Sequence, residues 1–283
     1  MAKTSDSKRG GKPSKEKKKA KTLAQKADRH VLYQDSVQCV EAEIDFVDDT
    51  FKKIRGRNAI TLREDFCGTA NTSCEWVRRR EGNSAIGVDL DAEVLEWGAK
   101  NNIADLGDAA HQITLYEQNV LDVRHEPVDT VLAMNFSYWI LNERASLRRY
   151  FRQVRDAMVN DGIFFLDCYG GYEAQREMRE RSENDGYTYV WDQAHFNPVN
   201  AHMRCYIHFH FPDGSKMNKA FTYDWRLWSL PEITELLKEA GFAKVSAWWQ
   251  GWDENEQDGD GEYEPVEEAD ADAAWVCYIV AEK

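Results

Sequence analysis

The sequence predicts an α/β fold: an open sheet of alternating strands and helices, with an antiparallel β insertion after the fifth strand. Three observations carry this reading. Between residues 59 and 168, short apolar runs alternate with stretches whose apolar residues recur every three or four positions. Two of those runs end in carboxylates: Ala59 to Leu62 leads into Glu64 and Asp65, and Gly87-Val88 leads into Asp89. After Cys168 the pattern switches to aromatic-rich segments of period two.

The elements follow in chain order. Residues 1–22 form a Lys-rich arm with Gly and Ser, a composition too poor in apolar residues to build a core. Ala24 to Phe51 reads as largely helical, because Val40, Ile44, Val47 and Phe51 make one apolar stripe. Residues 59–169 are the alternating core. A strand ends at Asp65, and Asn71 to Arg80 is the next helix, with Asn71 or Thr72 as N-cap. Gly87 to Asp91 closes the second strand, and Asp91 to Asn101 is helical. Glu143 to Val159 places Leu147, Phe151, Val154 and Met158 on one face.

Residues 170–228 read as an insertion. Gly170-Gly171 breaks the chain, and Tyr172 to Arg181 reads as a charged helix. Tyr187 to Trp191 and Met203 to Phe211 then alternate as strands; Pro212-Asp213-Gly214-Ser215 is a turn, and Lys219 to Trp228 returns. Residues 229–283 finish the core. A helix opens at Ser229-Leu230-Pro231 and stops at Gly241. Lys244 to Trp249 and Ala274 to Ala281 are strands, with an acidic loop, residues 253–272, between them.

The loop after the first strand is the most informative segment. In Glu64-Asp65-Phe66-Cys67-Gly68-Thr69-Ala70, one glycine remains of an acid-x-G-x-G-x-G pattern, and Phe66 and Ala70 stand at the other two glycine places. A dinucleotide loop keeps all three glycines, so that the backbone can approach a pyrophosphate. Strand, glycine loop, helix, strand and acid is also how an open α/β sheet binds an adenosine-containing cofactor at its carboxyl edge. The degenerate loop resembles motif I of the class I S-adenosylmethionine-dependent methyltransferases. Three further segments fit that family in order: Glu117 to Asp122, where the third strand would end in a polar-apolar pair, Val128 to Phe136 as the fourth strand, and Asp161 to Asp167 as the turn and fifth strand. The resemblance covers roughly residues 30 to 170, and the last stretch of the chain more loosely.

The resemblance implies a Rossmann-like sheet, S-adenosyl-L-methionine as cofactor, and a set of site residues. Glu64, Phe66, Cys67, Gly68, Thr69 and Ala70 would hold the amino acid part of the cofactor. Asp89 would bind the ribose hydroxyls with Leu90 beside it, and Asn119 and Val120 would lie at the adenine. Residues 23–58 would act as a helical lid, with Tyr33 closing over the cofactor. Residues 170–228 would be a substrate cap. Asn135 follows the fourth strand, where the family faces the methyl group. No Pro-Pro follows it, which argues against a nucleic-acid base or glutamine amide as acceptor. Tyr138 and Tyr169, after strand ends at the same edge, are the further candidates for contact with the acceptor. In-line methyl transfer is served mainly by orientation, so no strong catalytic motif is required.

Bulk properties bound the function. The 283 residues carry 36 Lys and Arg against 50 Asp and Glu. Residues 1–29 hold 11 bases and 3 acids, leaving a body with 25 bases and 47 acids, which gives nucleic acid no basic face. An acidic body would instead draw a cationic acceptor. No apolar run is long enough to span a bilayer, and the basic N-terminus is not followed by the apolar stretch of a signal peptide. Six cysteines without a Cys-x-x-Cys pair read as reduced thiols of a cytoplasmic protein.

Other clusters have two readings each. Tyr223, Trp225, Trp228, Trp248, Trp249 and Trp252 either line a pocket suited to a cation or pack the core. His208 and His210 would project from one face of a strand, with His202 nearby; no carboxylate or cysteine on that face completes a metal set, no metal is expected, and the readings are substrate contact or a general base, or an ordinary exposed strand face. The expected activity is therefore methyl transfer to a small-molecule acceptor, cationic or aromatic, on N, O or S. Two alternatives stay open: an RNA or protein acceptor recruited by the basic arm, and a binding protein that kept the fold without the reaction.

Overall fold

The computed structural model of the chain describes residues 20–253 and 258–283. Most of the N-terminal arm, and residues 254–257 of the acidic segment, lie outside the described residues.

The helices are α1 (Leu23–Lys26), α2 (Arg29–Val37), α3 (Val40–Arg55), α4 (Asn71–Arg79), α5 (Ala92–Gly98), α6 (Arg144–Asp156) and α7 (Leu230–Ala240). The core strands are β1 (Thr61–Asp65), β2 (Ser84–Asp89), β3 (Ile113–Glu117), β4 (Val128–Ala133) and β5 (Met158–Gly170). Four cap strands follow: β6 (Met178–Asn184), β7 (Tyr187–Asn197), β8 (His202–His210) and β9 (Lys216–Arg226). The chain ends with β10 (Lys244–Asp253), β11 (Asp258–Val266) and β12 (Trp275–Glu282).

Eight strands form the main sheet in the order β11-β10-β12-β5-β4-β1-β2-β3. The first five strands pair in parallel, and β12 inserts antiparallel beside β5. Strand order reverses at β1, between β4 and β2, and ligands of open α/β sheets bind at the carboxyl ends beside such a switch.

Helices cover both faces, so the central strands are apolar on both sides. Alternation along β5 makes the division visible. Phe164, Leu166 and Cys168 join the cluster built with α6 and α7, through Phe151, Val154, Leu236 and Leu237. Ile163 and Phe165 join the opposite cluster, with Ile44, Val47 and Phe51 of α3 and Trp76 of α4. The stripe seen in α3 is therefore a core face against the main sheet. Helices α1 and α2 lie against the cap, and α7 meets it through Glu232, which accepts from Arg226 of β9 at 2.9 Å.

Three elements differ from expectation, the first being the helix read as Glu143 to Val159, which ends at Asp156, so that Met158 opens β5 instead. Residues 172–181 are not a helix: Tyr172–Gln175 is one 3-10 turn, and Met178–Asn184 is the edge strand β6. The segment has no apolar stripe to hold a helix against anything. Its charges suit an exposed edge strand, where they also discourage pairing with another chain. The residues read as an acidic loop are likewise not all loop, because Asp258–Val266 is the edge strand β11. Tyr263 anchors it by stacking on Phe46 and Tyr278. Ala24 to Phe51 is largely helical as expected, as three helices with breaks at Ala27-Asp28 and Gln38-Cys39.

The cap sheet runs β6-β7-β8-β9. Its inner face carries Met203, Cys205 and Trp225 into the core, while Ile207, Phe209 and Tyr187 pack with Leu32 of α2. Helix α2 is held to the cap by Ser36 and Asp35, both bonded to the Tyr187 hydroxyl.

Candidate functional site

The site is built at the ends of β1, β2 and β4. The loop after β1 turns sharply because Phe66, Gly68 and Ala70 all adopt positive φ, at 56°, 52° and 54°. The glycine pattern thus survives as backbone conformation, although two of its residues are not glycine. Each non-glycine residue in this region costs about 1–2 kcal/mol, which the surrounding contacts must offset. Those contacts are present. Cys67 N–H donates to Val88 O, Ala70 N–H to Cys67 O, and Gly68 N–H to Asp89 Oδ2 at 2.8 Å. Gly98 of α5 closes the loop from outside: a Cβ there would sit 2.4 Å from Thr69 O.

The two carboxylates at the end of β1 point opposite ways, as strand alternation requires. Glu64 Oε2 accepts from Ser73 N–H (2.9 Å) and Ser73 Oγ–H (2.5 Å) at the start of α4. Burial pushes its carboxyl up to about 7, against the pull of those bonds. Asp65 is bound by Arg63 through both oxygens, at 2.7 and 3.0 Å, and by the Tyr150 hydroxyl at 2.8 Å. Arg63 also donates to Val120 O at 3.1 Å. Arg63 and Asp65 thus form an internal ion pair, both side chains buried. It ties the end of β1 to the loop after β3.

The loop after β4 is also strained. Asn135 and Phe136 both have φ of 56°. Asp167 of β5 holds them, accepting Asn135 N–H at 2.7 Å and Phe136 N–H at 2.8 Å. Burial raises Asp167 to about 7. A third buried acid, Glu43 of α3, is raised to about 8 by burial and by Asp167 and Glu64. Its Oε2 has no hydrogen-bond partner among the described residues.

These segments enclose a cleft of about 780 Å³. Of the residues named from the sequence, Tyr33, Glu64, Phe66, Cys67, Gly68, Thr69, Asp89, Leu90, Asn119, Val120 and Asn135 line it. Leu90 is 67% exposed there, an apolar side chain left facing solvent. Ala70 does not line the cleft; it is fully buried behind the loop. Helix α2 closes one side. Gln34 Nε2 donates to Thr69 Oγ1 at 2.8 Å, and Trp97 Nε1 donates to Asp28 at 2.8 Å.

A second cavity, of about 430 Å³, continues beneath the cap. Tyr33, Asn135, Tyr223 and Trp225 line both spaces. Tyr169 lines the second, with its ring on Phe136 and Trp139. Tyr138 lines neither: it is fully buried and its hydroxyl donates to Asp167 O at 2.7 Å. Its expected contact with an acceptor is thereby corrected. The segment after β4 forms a 3-10 turn, Ser137–Ile140, and this turn carries residue 138 down into the core.

The aromatic cluster divides between its two readings. Tyr223 and Trp225 line the cavity, while Trp228 and Trp248 are core. Trp249 stacks on Trp275, and Trp252 is exposed. His208 and His210 project from the outer face of the cap, where His208 contacts Asp192 at 3.2 Å. No metal-binding cluster of His, Cys, Asp and Glu occurs among the described residues. No helix among them is long and apolar enough to cross a membrane. All six cysteines are free.

Sequence reasoning passed over Gln34, Glu43, Asp167 and the cap residues Lys219 and Phe221. An isolated polar residue in an amphipathic helix, or an acid at a strand end, carries no spacing signal. Asp167 follows a fully apolar run, which was the one available hint.

No protein-family model matches the chain, and no curated protein does. Solved structures do. An S-adenosylmethionine-dependent methyltransferase from Clostridium acetobutylicum aligns with a TM-score of 0.67 at 16% identity, covering 89% of this chain and 96% of its own. The sugar N-methyltransferase KedS8 from Streptoalloteichus aligns at 0.62 and 15% identity, covering 96% and 99%. CalS10, an amino pentose methyltransferase from Micromonospora echinaspora, was solved with S-adenosylmethionine bound; it aligns at 0.60 and 14% identity, covering 89% and 95%. The chain has the fold of the class I S-adenosylmethionine-dependent methyltransferases. That includes the antiparallel cap inserted after the fifth strand.

Proposed function

We propose that this protein transfers the methyl group of S-adenosylmethionine to a small-molecule acceptor. One observation carries the reading: the cleft at the carboxyl edge, with Glu64 and Asp89 in its wall, shares Tyr33, Asn135, Tyr223 and Trp225 with an aromatic cavity under the cap. The residues present fit the cofactor. The cleft lies within the usual size range for ligand sites, ~300–1,000 Å³. Asp89 stands at the end of β2 to accept ribose hydroxyls, and Leu90, Asn119 and Val120 offer a partly apolar seat for adenine. Glu64 and the Phe66–Thr69 loop lie where the amino acid part would end, and the carboxyl groups of Glu64 and Asp89 suit a ligand whose sulfonium and ammonium outnumber its one carboxylate.

When bound, S-adenosylmethionine would supply an electrophilic methyl to a lone pair of the acceptor, with the sulfonium sulfur as leaving group and solvent taking any proton the acceptor sheds. The chain's own contribution is orientation and exclusion of water. Asn135 and Tyr33 border the junction of the two spaces, and Tyr169, Tyr223 and Trp225 wall the acceptor side. Such walls favour an aromatic acceptor or one whose product is a cation. An amine is the form we favour, because KedS8 and CalS10 are described as sugar N- and amino pentose methyltransferases. The free thiols fit a reducing compartment, and we read the protein as cytoplasmic.

Calorimetric titration with S-adenosylmethionine and S-adenosylhomocysteine tests the cofactor. Incubation with metabolite extracts, read by mass spectrometry for a gain of one methyl, tests the reaction. Absence of binding at millimolar ligand overturns the reading. Binding without any methylated product would favour the non-catalytic alternative.

A further inference from the structure

The cavity under the cap has a charge pattern that the cofactor does not explain. Apart from tyrosines, its ionisable lining residues are Glu173 and Glu180; no Lys, Arg or His lines it. Glu173 is occupied by Arg176 at 2.6 Å. Glu180 has no ion pair among the described residues, and it stands exposed at the rim of the cavity. Arg179 and Arg181 flank it in sequence but project from the other face of β6, where Arg179 pairs with Asp192.

Strand register fixes where Glu180 lies. Glu180 pairs with Trp191, Trp191 with Ile207, and Ile207 with Phe221, one residue from each cap strand in a row. Phe221 and Tyr223 of β9 lie at the cofactor cleft. Adjacent strands are about 4.8 Å apart, so three spacings put Glu180 roughly 14 Å from that end. Between them the floor is aromatic: Tyr189, Trp191, Tyr223 and Trp225 all line the cavity, and Trp191 lies 5.8 Å from Tyr223. A cation at the far end would meet a carboxylate and the faces of aromatic rings. An anion would be repelled by both.

We propose, resting on the methyltransferase reading, that the acceptor is an elongated molecule with a cationic anchor. Its nucleophilic atom sits at the junction by Tyr33 and Asn135. A separate protonated amine or quaternary ammonium group lies about 10–14 Å away, against Glu180, Tyr189 and Trp191. Glu180 is then a specificity-determining residue and takes no part in the transfer. The anchor is a second group, because an amine held protonated by a carboxylate has no lone pair to methylate.

The test uses unreactive probes on the full chain saturated with S-adenosylhomocysteine. Octyltrimethylammonium, its neutral tert-butyl isostere and the carboxylate of the same length are compared by calorimetry. The cation is expected to bind about tenfold more tightly than the isostere, with the carboxylate weakest. Glu180→Gln should erase that preference while leaving S-adenosylhomocysteine affinity unchanged, and Glu173→Gln should retain it. Equal binding of the three probes, or a preference that survives Glu180→Gln, overturns the inference alone. Failure of S-adenosylhomocysteine itself to bind overturns the methyltransferase reading, and this inference with it.

Discussion

At the scale of the residue, Tyr138 shows how a side chain's neighbours decide its part. It follows a strand end at the cofactor edge, yet its hydroxyl is spent on Asp167 O inside the core. Tyr138→Phe should therefore cost about 1 kcal/mol of stability by denaturant unfolding. Its kcat/KM should stay within about twofold of wild type, since no substrate contact is lost. The buried acids make a second prediction. Glu43, Glu64 and Asp167 are held near 8, 7 and 7, chiefly by burial. Folded values above unfolded ones mean that protonation favours folding. Their stabilising contribution is full below the ordinary carboxylate range and is lost as pH rises through 7 to 8. The unliganded protein should melt lower at about pH 8 than at about pH 5.5, and Glu43→Gln should shrink that difference in scanning calorimetry. A cationic cofactor reverses the preference. S-adenosylmethionine should bind more tightly as pH rises over the same window and release protons on binding. S-adenosylhomocysteine, without the sulfonium, should show less of both, and titrations in two buffers of different ionisation enthalpy measure them.

At the scale of the element, the cofactor loop depends on what packs behind it. The loop holds Phe66 and Ala70 at positive φ without glycine, and α5 presses on it through Gly98. A methyl group at residue 98 would collide with backbone, which no side-chain rotation relieves. Gly98→Ala is expected to displace Thr69, to lower stability by about 2 kcal/mol or more, and to weaken S-adenosylmethionine binding at least about tenfold. Differential scanning calorimetry and a binding titration read the two effects. Unchanged affinity would mean that the Thr69 segment is not part of the cofactor seat. The cap shows the opposite case, an element whose register carries the information: the pairing of β6 with β7 alone brings Glu180 to the cavity wall.

At the scale of the whole molecule, charge is segregated. A basic arm precedes an acidic body, and the two cavities lie in that body. Removing residues 1–19 should leave kcat/KM for a small-molecule acceptor within about twofold, with a salt dependence no steeper than before. A large loss with RNA or protein acceptors in this deletion, and none with small molecules, would revive the recruiting role of the arm. The assembly of α2 against both the cap and the Thr69 loop also joins the two sites into one unit. Gln34 bonds to the loop, while Ser36 and Asp35 bond to Tyr187 of the cap.

The sequence by itself determined the main sheet, the carboxyl edge that carries the cleft, and most of the cleft lining. Those features depend on short-range rules: apolar periodicity, a turn that needs positive φ, and acids at strand ends. Glu64 and Asp89 were legible as cleft lining because they end β1 and β2, and Gly68 and Asn119 because they lie in the short loops after strand ends, where local pattern and spatial position coincide. Only the tertiary structure decided the rest. It turned a charged stretch expected to be helical into the edge strand β6, because pairing with β7 supplied what local pattern lacked. It sent Tyr138 inward and Tyr169 outward, and it brought Glu43 and Asp167 together from α3 and β5. It also divided the six aromatic residues: Tyr223 and Trp225 line the cavity, Trp228 and Trp248 are core, Trp249 packs on Trp275, and Trp252 is exposed. These outcomes depend on contacts between residues far apart in the chain, and no short window of sequence records which partner a buried carboxylate or an inward-facing ring will meet.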